Sequence, residues 1–83
     1  MLQRELILSN LADARRQLAE IELSLQDPDY GEADFRTDME HAYHHLNYAW
    51  NVRNVSDHAL DEQSHEDFQR WSKFPVGEIE EYT

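Results

Sequence analysis

Three histidines fall within one short stretch of the chain, at His41, His44 and His45. His41 and His45 are four residues apart, so on a helix both imidazoles stack on one face, the spacing by which a helix offers two ligands to one ion. Asp38, three residues before His41, would be a third ligand or a carboxylate that orients an imidazole. Glu40 and His44 form a second i, i+4 pair on the neighbouring ridge. Two-fold pairing of chains would bring one pair from each copy together and complete four ligands, with a divalent metal as the implied cofactor. The pattern is loose, because neither H-E-x-x-H nor the paired E-x-x-H motifs of di-iron bundles occur. The expectation is therefore no cofactor, with the histidines serving a hydrogen-bonded inner surface instead.

A second group lies at Arg53-Asn54-Val55-Ser56-Asp57-His58. This six-residue string resembles the R-N-x-x-x-H motif of the HEPN superfamily of helical ribonucleases and toxin-antitoxin components. The resemblance implies that Arg53 and His58 form a catalytic pair for metal-independent RNA cleavage across a dimer. His58 would act as general acid/base and Arg53 would stabilise phosphate charge. The bland reading of the same residues is an Arg53 that lays its stem over apolar surface or pairs with Asp57, four residues on. Asp27, Asp29, Glu32 and Asp34 cluster in a turn, but their order does not match an EF-hand loop, and a solvated acidic turn is the expectation. No phosphate-cradling glycine motif occurs.

Composition bounds these readings. The chain has 83 residues, room for one domain. It carries 18 Asp and Glu against 7 Lys and Arg, a formal net charge of −11. Phosphate contacts need a basic face, so nucleic acid and anionic membranes are poor partners, whereas a basic protein is a suitable one. There is no cysteine, which excludes disulfides, thiolate chemistry and Cys-based zinc sites. Only three aliphatic residues, Leu6 to Leu8, run together near the start, too few for a signal peptide, and a cytoplasmic location is expected.

The elements that must position these groups follow from spacing. Ile7, Leu11, Ala14, Leu18, Ile21 and Leu25 are separated by alternating fours and threes, a heptad track that predicts a helix over about residues 3–26. Leu8, Ala12, Ala19 and Leu23 form a second, smaller stripe. Asp27-Pro28-Asp29-Tyr30-Gly31 predicts a turn over 27–31. A second helix is expected over about 32–63, with Phe35, Met39, Ala42, Leu46, Ala49 and Arg53 facing the first and Trp50 beside them. Ser64 reads as a fresh N-cap for a short helix over about 65–73 that buries Phe68 and Trp71. The tail over 74–83 carries Val76, Ile79 and Tyr82 as anchors and is expected to be irregular.

The stretch His41 to Val52 has no formally charged side chain, although 30% of the chain is charged. Solvated helix faces carry charge, so this centre is expected to be enclosed. An all-α helical hairpin with a short third helix, pairing as a four-helix-bundle homodimer or a higher even assembly, would enclose it. The expected interface is Leu8, Leu23, His41, His45, Tyr48, Val52 and Val55. The function expected of such a chain is non-enzymatic, acting through protein–protein contact and self-association.

Overall fold

A computed structural model describes residues 1–72, apart from the side chains of Phe68 and Ser72. Four helices follow one another: α1 (Arg4–Ser24), α2 (Glu32–Asn51), α3 (Asp57–Asp61) and α4 (His65–Ser72). No strand occurs among the described residues. α1 and α2 pack along their length as an antiparallel hairpin, and α4 folds back onto α2.

The turn forms where its residue types require. Asp27 accepts the Asp29 N–H at 2.9 Å, an Asx-turn that bends the chain at Pro28. The Tyr30 N–H then reaches the Asp27 carbonyl at 3.0 Å. Gly31 occupies the N-cap of α2, and Glu32 and Asp34 in the first turn complement the positive end of the helix dipole. Tyr30 is pinned to α2 by its hydroxyl, which donates to Asp38 at 2.6 Å.

The strip between α1 and α2 is made of small residues. Ala14, Ala42 and Ala49 are buried with Ile21, and their short side chains let the two helices approach closely. Asn10 is buried in the same strip. Its amide donates to the Leu6 carbonyl at 2.9 Å, and its oxygen lies 3.3 Å from His45 Nδ1. The heptad track of α1 is therefore only half covered. Ala14 and Ile21 face α2, whereas Leu11, Leu18 and Leu25 stand on the shoulder and remain exposed. One neighbouring helix covers a narrow stripe, and a 3.6-residue period carries every second track position past its edge.

A buried hydrophobic cluster lies at the far end, where Tyr48, Val52 and Trp71 meet, flanked by Leu6, Val55 and Leu60. The Tyr48 hydroxyl donates to Gln63 at 3.0 Å, and Asn51 donates to the Trp71 carbonyl at 2.7 Å, which fixes α4 against α2.

The second long helix stops at Asn51 rather than near residue 63. The chain turns at Val52, whose side chain is 0% exposed, and restarts at α3 with Ser56 capping the Ala59 N–H at 3.2 Å. Gln3 stabilises the break. Its backbone N–H donates to the Arg53 carbonyl at 2.8 Å, and its side-chain amide donates to the Val55 carbonyl at 2.6 Å. Carbonyls that a continuing helix would have used are thus satisfied from the other end of the chain. α4 begins at His65 as expected, behind the Ser64 cap, and Trp71 is buried. The expectations for residues 73–83, with Val76, Ile79 and Tyr82 as anchors, lie outside the described residues, as does the side chain of Phe68.

Candidate interaction surface

The histidines are dispersed by the helix that carries them. His41 is exposed on α2. His45 turns toward α1, where Nδ1 lies 3.3 Å from Asn10 Oδ1 and 4.0 Å from Asp13 Oδ2. His44 is half-buried, with its ring 5.1 Å from that of His45 and 6.2 Å from that of Tyr48. Burial first, and then the charges of His45 and His41, hold the His44 pKa below its ordinary value of 6.5.

The carboxylates expected beside them are engaged elsewhere. Asp38 accepts the Tyr30 hydroxyl, and Glu40 pairs with Arg36 at 3.1 Å. Burial and the Asp38 carboxylate push the Tyr30 pKa up to about 12. Among the described residues no three His, Asp or Glu side chains gather where they could hold an ion. The acidic turn is exposed, with Asp27 and Asp34 accepting backbone N–H groups of the turn itself.

Arg53 and His58 face different partners. The Arg53 guanidinium lies over the Trp50 ring, 3.7 Å from its centroid, and Nη1 donates to the Trp50 carbonyl at 2.6 Å. His58 sits on α3, with Nε2 3.3 Å from Glu62. Asp57 accepts from the Gln3 amide at 2.9 Å and not from Arg53.

The expected interface divides into two parts. Tyr48 and Val52 belong to the chain's own core, and Val55 is half-buried against them. Two asparagines of α2 are consumed in the same way: Asn47 is buried, and Asn51 bridges the Asn47 and Trp71 carbonyls. The uncharged centre of α2 is therefore covered on this side by α4 of the same chain. Leu8 and Leu23, in contrast, are exposed on α1.

An uncovered apolar surface lies on the other side of the hairpin. Trp50 is 54% exposed, Leu11 45% and Leu46 41%, and Leu18, Phe35 and Tyr43 stand out beside them. Between the helices two shallow grooves run along this face. One of about 280 Å³ is lined by Leu2, Ile7, Leu11, Leu46, Ala49, Trp50 and Arg53. The next, of about 210 Å³, is lined by Leu18, Met39, Ala42, Tyr43 and Leu46. Scattered exposed leucines need no explanation, whereas a contiguous apolar face of two helices with an aromatic at its end is a candidate contact surface. The signal was present in the residue order. Leu11, Leu18 and Leu25 recur every seven residues, and Phe35, Met39, Tyr43, Leu46 and Trp50 are spaced by four, four, three and four. These are two heptad rows side by side.

Charge is distributed unevenly along the chain. α1 carries Arg4, Arg15 and Arg16 against Glu5, Asp13, Glu20 and Glu22, a net of −1 within a chain of −11. No described helix is long and apolar enough to cross a membrane. No known family, curated protein or solved structure matches the chain.

Proposed function

We propose that the protein is a non-enzymatic interaction module whose open hairpin face pairs with that of a second copy to form a four-helix bundle. The observation that carries this reading is the contiguous exposure of Leu11, Leu18, Leu46 and Trp50 on one face of two packed helices. Full burial of a side chain of that size is worth about 1.5–3 kcal/mol, and about half of each still stands exposed, so two such faces have a drive to meet. The heptad spacing on both helices suits knobs-into-holes packing against two more helices. The Trp50–Arg53 stack supplies a rigid anchor of the residue types that dominate contact energies. The role is regulatory or scaffolding, exercised through contact, with a basic protein as the favoured partner of the acidic outer surface.

Sedimentation equilibrium tests the pairing. The wild type is expected at a multiple of its 9.9 kDa chain mass. The combined exposed-site change Trp50→Glu and Leu46→Glu is expected to abolish that contact while leaving helix content by circular dichroism unaltered. A wild type that sediments as a lone chain at all concentrations would overturn the proposal.

A further inference from the structure

The outer edge of α2 is charged at both ends and uncharged in the middle. Glu32, Arg36, Met39, Tyr43, Leu46, Trp50 and Arg53 are separated by alternating fours and threes, so they share one side of the helix. Met39 and Arg53 are half-buried and the other five are exposed. Tyr43 is the midpoint of the row, with Arg36 and Trp50 seven residues to either side of it. No formal charge occurs from His41 to Val52, and α4 covers only the opposite flank of that stretch, through Tyr48 and Val52. Carboxylates gather at the turn end. Glu32 and Glu40 border a groove beside Phe35, Met39 and Tyr43, and Asp27, Asp29 and Asp34 stand exposed near it. Arg53 borders the groove at the other end, where Arg4 begins α1.

We infer that α2 of one copy packs antiparallel along α2 of a second copy, about a two-fold axis beside Tyr43. This direction rests on the open-face pairing proposed above and adds which end meets which. The axis sets Trp50 level with Arg36 of the other copy, and Leu46 within about 1.5 Å, along the helix, of the level of its Met39. Arg53 comes equally close to the level of the other copy's Glu32, and the two-fold makes each meeting twice. Tyr43 and its apolar neighbours occupy the centre, so the axis brings no like charges of α2 together there.

Charge selects both the partner and the direction. Gln3 lies against Arg53 and Asn10 against His45, which puts Asp13 about level with Tyr43, so the same axis sets Arg4 about level with the other copy's Glu22. The α1 cations near the axis stand off the α2 contact: Arg15 is exposed and turned about 100° from the buried Ala14, and Arg16 is offset by Asp13 at 2.8 Å. Pairing like ends instead would set Arg53 on Arg53 and Glu32 on Glu32, and would gather both acidic turns at one end. The antiparallel pair holds those turns apart by about the 27 Å between Glu32 and Trp50, beyond the screening length of about 8 Å at physiological salt. A basic partner would answer Glu32 and be repelled by Arg53, whereas a second copy answers both ends. The charges fix direction, and the apolar row supplies the strength.

The absence of cysteine makes the test direct. Chains carrying Met39→Cys and chains carrying Leu46→Cys are mixed and oxidised with glutathione disulfide. The antiparallel row predicts a disulfide joining one of each, and none between two Leu46→Cys chains, whose equivalent positions stand about 9 Å apart along the helix. Arg53→Glu and Glu32→Arg are each expected to weaken association about tenfold, with helix content retained, and their equimolar mixture to return within about threefold of the wild type. In that mixture every crossed meeting again joins opposite charges. A disulfide between two Leu46→Cys chains, or none in the mixture while the wild type sediments above one chain mass, overturns the direction and leaves the open-face pairing standing. A mixture of the charge variants that stays as weak as its components does the same. A wild type that sediments as a lone chain removes both.

Discussion

Single residues hold this fold together at points where two ends of the chain meet, and Gln3 is the clearest. Its backbone and side chain donate to Arg53, Val55 and Asp57, so one residue at the start of α1 stabilises the break after α2. Gln3→Ala keeps the backbone bond and removes two side-chain ones, and is expected to cost about 1–2 kcal/mol in urea unfolding. His44 contributes to the response to acid. Its pKa is lowered by burial and by His45 and His41, so the folded chain binds this proton more weakly than the unfolded chain does. The sign follows: the stability linked to His44 is complete above 6.5 and is lost as pH falls through and below that value. Between about pH 8 and about pH 5.5 the urea midpoint of the wild type should fall further than that of His44→Asn. Equal falls in the two chains would remove His44 from the account. Neither residue's role was legible in the sequence. Gln3 acts across more than fifty positions, and nothing local marks it, while the burial of His44 depends on where α2 meets its neighbours.

At the scale of elements, periodicity carried the hairpin. The turn at Asp27–Gly31, the extent of α1 to within two residues, and the start of α4 behind Ser64 are all expressed in spacing and cap residues. The break after Asn51 was not read, although Ser56-Asp57 is a cap signature of the same kind as Ser64. The apolar row continuing through Val52, Val55 and Ala59 masks it. Local periodicity does not register that Gln3 would take the freed carbonyls. The same blind spot displaced the expected interface. Tyr48 and Val52 share a flank that one hairpin leaves bare, and only the return of α4 shows that Trp71 covers it. The consequence is testable on that element alone. Trp71→Ala removes the cover, and a buried tryptophan truncated to alanine costs about 3–5 kcal/mol. The variant should lose most of its unfolding free energy and bind a hydrophobic dye where Tyr48 and Val52 become wet. A loss below about 1 kcal/mol would mean that α4 is not part of the cooperative unit.

For the molecule as a whole, two opposing forces decide whether copies meet. A chain of this size buries a modest share of its surface alone, so an uncovered face of Leu11, Leu18, Leu46 and Trp50 weighs heavily in its stability. Against that stands the net charge of −11 on each copy, whose repulsion reaches farther when salt is scarce. Raising ionic strength from about 0.01 M to about 0.15 M shortens the screening length from about 30 Å to about 8 Å. An association driven by apolar faces and opposed by net charge must therefore tighten as salt is added over this range. Binding of a basic protein to the acidic outer surface must weaken over the same range, because there the charges attract. Sedimentation at the two salt levels reads the sign of this dependence without any mutation. Self-association that loosens with salt would place the attraction in ion pairs, and the apolar face would then lose its standing as the surface through which the protein acts.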